Sequence, residues 1–151
     1  MSHSVHTERA IDMRVAIKAP PKRVFAAFIE KELLEAWFVL RAEVDPRPGG
    51  AFAFYWKEVG VTGHALEVDP PNRLVLEFDE RPVADGVTVS TISVTADVGG
   101  ASLHFRQVGF GDGPEWDALY DGMSVGWVDA FSDLKFFLET GEPRPGGFRN
   151  G

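Results

Sequence analysis

The sequence contains no cysteine. Disulfides and thiolate metal ligands are excluded with it, and a chain without them fits a reducing compartment. Basic residues are outnumbered, with 15 Lys and Arg against 23 Asp and Glu for a net charge of −8, and no basic run stands out. Binding to nucleic acid needs clustered Lys and Arg to neutralise phosphates, so no such partner is expected. The acidic residues are scattered, which reads as charge for solubility. No apolar run approaches the ~18 residues that a membrane span requires, and the opening MSHSVHTERAIDM lacks the apolar segment of a signal peptide. The expected location is cytoplasmic. Nucleophilic catalysis also lacks its usual marks, because no G-x-S-x-G elbow occurs.

What the chain does have is rings: four Trp and twelve Phe in 151 residues. A single domain of this length buries roughly 68–70% of its unfolded surface. So many large side chains must then fill a core or line a cavity.

The pattern along the chain divides it into a flexible N-terminus (1–8), one domain (9–140) and a flexible C-terminal tail (141–151). Ile11, Met13, Val15 and Ile17 alternate with Asp12, Arg14 and Ala16, as in a half-buried strand. Pro20-Pro21 ends it and suits the first turn of a helix, in which Val24, Phe25, Phe28 and Ile29 recur at helical spacing. A second short helix is expected over 32–38. The middle reads as a meander of strands punctuated by Pro46-Arg47-Pro48-Gly49-Gly50, Asp69-Pro70-Pro71-Asn72 and Gly99-Gly100. The strongest periodicity covers 115–140. Trp116, Leu119, Tyr120, Met123, Trp127, Ala130, Phe131, Leu134 and Leu138 fall within an arc of roughly 120° at helical spacing. Gly141 and Pro143 then stop the helix.

This order segregates strands from helices, as in an α+β fold. A twisted antiparallel sheet of about six or seven strands would wrap around the long C-terminal helix, with two short helices after strand 1 closing one end. A curved sheet and a straight helix cannot touch everywhere, and the gap between them is a cavity.

Several spaced motifs carry a family resemblance. Pro20-Pro21-Lys22-Arg23-Val24-Phe25 and Leu33-Leu34-Glu35-Ala36-Trp37-Phe38 resemble the opening of the SRPBCC (START-like) superfamily. The stretch from Asp45 to Phe52 (DPRPGGAF) and that from Leu66 to Leu74 (LEVDPPNRL) resemble one subfamily, the homologues of the activator of the ninety-kilodalton heat-shock protein ATPase. Gly109-Phe110, Gly126-Trp127 and Leu134-Lys135 complete the likeness, which covers about residues 9–140. The resemblance implies the helix-grip (START-like) fold and an internal ligand cavity. The superfamily includes lipid and hormone carriers, polyketide cyclases and members without an assigned reaction. Eukaryotic co-chaperones of the subfamily carry an additional N-terminal domain, for which residues 1–8 leave no room, so the co-chaperone role is not expected to carry over.

Candidate residues follow from parity. His64 shares strand parity with Leu66 and Val68, which would turn its imidazole into the cavity as a proton acceptor or hydrogen-bond partner. His104 alternates against Leu103 and Phe105 and is expected to face solvent. No metal site is expected from two histidines of opposite parity, and no cofactor motif is present. The segment Gly109-Phe110-Gly111-Asp112-Gly113 lacks the Lys-Ser/Thr end of a P-loop and reads as a loop into the last helix. Gln107 should face the interior, where a buried amide must find partners, and Tyr120 offers a phenol nearby. Trp37, Phe54, Trp56, Trp116, Met123, Trp127 and Phe131 are the candidate walls, with ordinary core packing as the competing account of each. Gly122 and Gly126 weaken the helix by roughly 1 kcal/mol each, a cost that close approach or bending would explain. Phe136 lies on the polar side of the helix and hints at a self-association surface in a homodimer.

The leading expectation is binding of a small hydrophobic or aromatic molecule in the cavity. The alternatives are a cyclase, hydratase or isomerase using His64, and a protein-interaction or chaperone-partner module.

Overall fold

Residue patterning sets the elements in the order β1 (Ile11–Ile17), α1 (Pro21–Ile29), α2 (Lys31–Trp37), β2 (Arg41–Val44), β3 (Ala51–Tyr55), β4 (Gly60–Asp69), β5 (Arg73–Asp79), β6 (Val87–Asp97), β7 (Gly100–Val108) and α3 (Pro114–Thr140). The computed structural model describes residues 9–147. The expected flexible N-terminus and the last four residues of the tail lie outside the described residues.

The seven strands form one antiparallel sheet in the order β1-β7-β6-β5-β4-β3-β2. The first strand thus closes on the last, and the two-residue turn at Val98-Gly99 joins β6 to β7, with Gly99 at φ 83°. Alternate residues of each strand face one side. Phe52 and Phe54, Leu74, Leu76 and Phe78, Ile92 and Val94, and Leu103 and Phe105 make that inner face apolar and buried. The helix α3 lies across it, and α1 adds Val24, Phe25, Ala27 and Phe28. Pro21 occupies the first turn of α1, where its missing N–H costs nothing, and Gly141 ends α3 in the left-handed conformation at φ 85°. This is the helix-grip fold.

The stripe on α3 is not uniformly covered. Trp116 near its start and Ala130, Phe131, Leu134 and Leu138 toward its end are buried, whereas Leu119, Tyr120, Met123 and Trp127 are only partly so. The helix therefore touches the fold at both ends and stands away from it in the middle. Residues 141–147, expected as part of a flexible tail, turn back after Gly141. Arg144 Nη1 donates to Asp133 Oδ1 at 3.1 Å, which provides a cationic partner for a carboxylate that is 3% exposed.

Curvature has a local cause in β4. The pairing with β5 shifts between Ala65 and Glu67, leaving Leu66 as the extra residue of a bulge. Gly63, just before it, lies so close to β5 that a Cβ would stand 1.9 Å from the Glu77 carbonyl oxygen. Only glycine permits that approach. Replacing Gly63 with Ala must push β4 off β5. We expect Gly63→Ala to lower unfolding free energy by about 2 kcal/mol or more, read from urea midpoints, whereas an unchanged midpoint would mean the strands need not meet so closely.

Candidate functional site

A cavity of about 960 Å³ lies between the inner sheet face and the middle of α3. Rings from four sources form its walls: Phe38 after α2, Phe54 and Trp56 at the end of β3, Phe78 on β5, and Trp127 on α3. Its rim includes residues 58–60 and 81–83, all exposed, so one side is open. A smaller recess of about 370 Å³ adjoins it, sharing Phe38, Trp56, Met123 and Trp127 and reaching Gly122 and Gly126. A Cβ on Gly122 would meet nothing within 4 Å, so this glycine admits no close approach of the sheet and leaves the recess open.

The rings are held by each other and by directed hydrogen bonds. Trp127 stacks on Phe38 (centroids 5.4 Å apart) and on Phe131 (5.2 Å), and Phe105 sits 4.5 Å from Trp127. Trp56 Nε1 donates to the Phe38 carbonyl at 2.8 Å, which ties the end of β3 to the end of α2.

Polar groups gather at the sheet end of the cavity. Trp127 Nε1 donates to Gln107 Oε1 at 2.9 Å, Gln107 Nε2 donates to Thr88 Oγ1 at 3.0 Å, and the Thr88 hydroxyl donates to Glu80 Oε2 at 2.5 Å. The direction is forced throughout. An indole N–H can only donate, so the amide oxygen must face it, the amide nitrogen must face Thr88, and the threonine proton is left for the carboxylate. The amide nitrogen also lies 3.3 Å from Met123 Sδ. Glu80, Thr88 and Gln107 are 6%, 0% and 2% exposed.

The chain ends on a carboxyl group with one oxygen to spare. Glu80 Oε1 has no partner among the described residues, and no fully buried side-chain polar atom is left unpaired, so this oxygen meets the cavity. Ser90, 3% exposed and paired across strands with Gln107 and Leu76, likewise lines the cavity without a hydrogen-bond partner among the described residues. Burial pushes the Glu80 carboxyl above the usual glutamate range. The Thr88 hydrogen bond opposes that shift, and the neighbouring Asp79 adds a smaller upward push. Asp79 itself is gripped by Arg81 through two side-chain hydrogen bonds of 2.9 and 2.6 Å, which with the Arg81 backbone N–H hold it down to about 2.

The sequence candidates divide between cavity, core and surface. Phe54, Trp56, Gln107, Met123 and Trp127 line the cavity. Trp37 and Phe131 belong to the ring core beneath it, with Trp37 Nε1 donating to the Ala27 carbonyl at 2.9 Å. Trp116 packs edge-on against Phe110 at the start of α3, and Tyr120 donates to the Ala10 carbonyl at 3.2 Å under the Arg9 guanidinium, so neither reaches the cavity. The expectation for His64 is corrected. Its side chain is 44% exposed on the outer face, 3.8 Å from Glu77 Oε1. Strand parity counted back from Val68 crosses the bulge at Leu66 and is reversed there, so Gly63 and Ala65 face inward instead. His104 does lie on the outer face, 2.9 Å from Asp12 Oδ1. Phe136 is 39% exposed on α3. Sequence reasoning missed Glu80, Thr88 and Ser90. The signal for Glu80 was available, because it continues the inward series Leu74, Leu76, Phe78 by two residues.

A concave cavity lined mainly by rings, with a few polar groups at one end, is the general form of small-molecule sites. Residues 18–139 match the model of the family described as activator of Hsp90 ATPase homolog 1-like protein, and the chain belongs to that family. Protein MLL2253 from Mesorhizobium loti is similar at 25% identity and TM-score 0.77, over 86% of this chain and 96% of its own. CalU16 from Micromonospora echinospora is 22% identical with TM-score 0.73, over 89% of this chain and 78% of that one. The Aha1 dimer from Colwellia psychrerythraea is 17% identical with TM-score 0.77, over 88% and 98%. No curated protein matches the chain significantly.

The Glu80 environment makes stability depend on pH. A carboxyl raised in the folded state binds its proton more tightly there than in the unfolded chain. Its stabilising contribution is complete below the unfolded value of 4.5 and is lost as pH rises through the folded one. Wild type should therefore lose stability relative to Glu80→Gln on going from pH 4.5 to a higher, near-neutral pH. Paired urea titrations at the two pH values check this, and a constant difference would mean that the carboxyl is well solvated.

Proposed function

We propose that the protein binds a small, largely apolar or aromatic molecule between the sheet and α3. The observation that carries this reading is the segregation inside the cavity, with rings along its walls and a few oriented polar groups at one end. A pocket built that way supplies affinity through area and orientation through hydrogen bonds. Its volume of about 960 Å³ has room for a molecule of two or three fused rings. Burying about 200 Å² of apolar ligand surface is worth about 5 kcal/mol before ordering costs, which places the limit from this term alone in the sub-millimolar range. Membership of the family and the likeness to helix-grip structures support an enclosed ligand. The proton-transfer alternative loses its named base, because His64 lies on the opposite face of the sheet.

A neutral fluorescent probe such as N-phenyl-1-naphthylamine tests the reading. It should bind saturably at one site per chain. Ser90→Phe, which places a ring in the cavity floor, should weaken it by about tenfold or more, equivalent to about 1.4 kcal/mol. Val98→Phe, at a fully exposed hairpin turn, should leave it unchanged. Non-saturating binding, or equal binding to both variants, would sink the cavity as the site.

A further inference from the structure

The charge lining the cavity is uneven. Five carboxyl groups but only two guanidiniums face it. Arg81 is engaged by Asp79 and Arg144 by Asp133. Glu58, Glu80 and Asp129 are left without a cationic partner among the described residues. Glu58 and Asp129 are exposed, where water screens them. Glu80 is different, because it is 94% removed from solvent, judged by its 6% exposure, and still presents a free oxygen.

A buried carboxylate ordinarily pairs with Arg, Lys or several backbone amides. Here the fold supplies one hydroxyl to Oε2 and aims the other oxygen at the ligand space. A neutral apolar molecule that filled the cavity would strip Oε1 of water and leave a charge unpaired. A molecule carrying a positive charge would complete the pair with a charge-assisted hydrogen bond. Trp127, Trp56 and Phe38 line the same space and supply contact area for the apolar body of such a ligand. Together the two features select one chemistry.

We propose that the ligand is a hydrophobic amine: an aromatic or aliphatic body seated among the rings, with its protonated nitrogen on Glu80 Oε1. The Ser90 hydroxyl, on the same floor, accepts a second N–H. Thr88 and Gln107 act behind the site as positioning residues, since their hydrogen bonds hold the Glu80 carboxylate in a single orientation. The inference rests on the cavity being a ligand site, and it adds the charge of what enters.

Three probes of one shape separate the two readings: 2-naphthylmethylamine, 2-naphthylmethanol and 2-naphthoate, titrated calorimetrically into the full chain near pH 7. The amine should bind about tenfold or more tightly than the alcohol, and the carboxylate most weakly. In Glu80→Gln the amine should fall to the level of the alcohol, whose own affinity should hold. The rim variant Glu58→Gln with Asp129→Asn should keep most of the preference. If alcohol and amine bind wild type equally, the cavity reading stands and the amine inference is overturned. If none of the three binds, both fall. A preference that survives Glu80→Gln, or that disappears in the rim variant, would assign the selectivity elsewhere and overturn the role of Glu80. The wild-type order alone decides the ligand charge, so the test does not depend on the variant folding.

Discussion

Much of the molecule depends on how one cluster of rings clamps α3 to its surroundings. Trp37, Phe38, Phe131 and Trp127 lie within 28° of parallel in each adjoining pair, and Phe105 rises from the sheet against the last two. Such pairs are worth about 0.5–1.5 kcal/mol beyond the area they bury. The cluster joins α2, β7 and α3 at one point. Beyond it toward the C-terminus, Ala130, Leu134 and Leu138 continue the contact. On the other side the sheet curves away, and Trp116 closes the far end against Phe110. A straight helix fixed at two places over a curved surface leaves a gap between them. The cavity is a consequence of that geometry rather than a defect in packing.

The floor of the gap does not follow the rule that governs the rest of the core. Glu80, Thr88, Ser90 and Gln107 are buried where neighbouring strand positions carry Leu, Ile and Phe. Apolar side chains of similar volume would pack there without losing hydration. A carboxyl whose proton affinity is raised by burial is, at neutral pH, a net cost to folding. Three of the four residues are joined in one hydrogen-bonded series, so the arrangement is ordered as well as costly. Departures of this kind from local consistency concentrate where a protein acts.

How far the sequence disclosed this can be traced residue by residue. Alternation marked the first strand and helical spacing the long helix, because burial on one face leaves a direct mark on composition, while turn formers marked out the meander between them. The family resemblance carried the helix-grip architecture and is matched by the family model over residues 18–139. The site was harder. His64 was misplaced because the bulge at Leu66 changes parity without any Pro or charge to announce it. Gly63 was the nearest visible clue, a glycine inside a strand. Glu80 is hard to single out because it sits among Asp79, Arg81 and Pro82, a composition common to solvated turns. Trp116 and Tyr120 share the inward stripe of α3 with Trp127, but the stripe is long enough to reach past the cavity at its N-terminal end.

Under the proposed function, walls and floor make different contributions to recognition. Contact with rings scales with buried area and distinguishes poorly between apolar bodies of similar size. The helix-grip frame itself is shared by proteins whose identity to this chain is only 17–25%. Discrimination requires a group whose satisfaction depends on the ligand. In this chain every polar atom in the series from Trp127 to Glu80 has its partner dictated by the one before it, until the last carboxylate oxygen. That oxygen accepts but cannot donate while ionised, and it lies in a medium where an unpaired charge is expensive. Under the proposed function, selectivity is concentrated at that one atom, and the hydrogen-bonded series behind it keeps it pointing into the cavity.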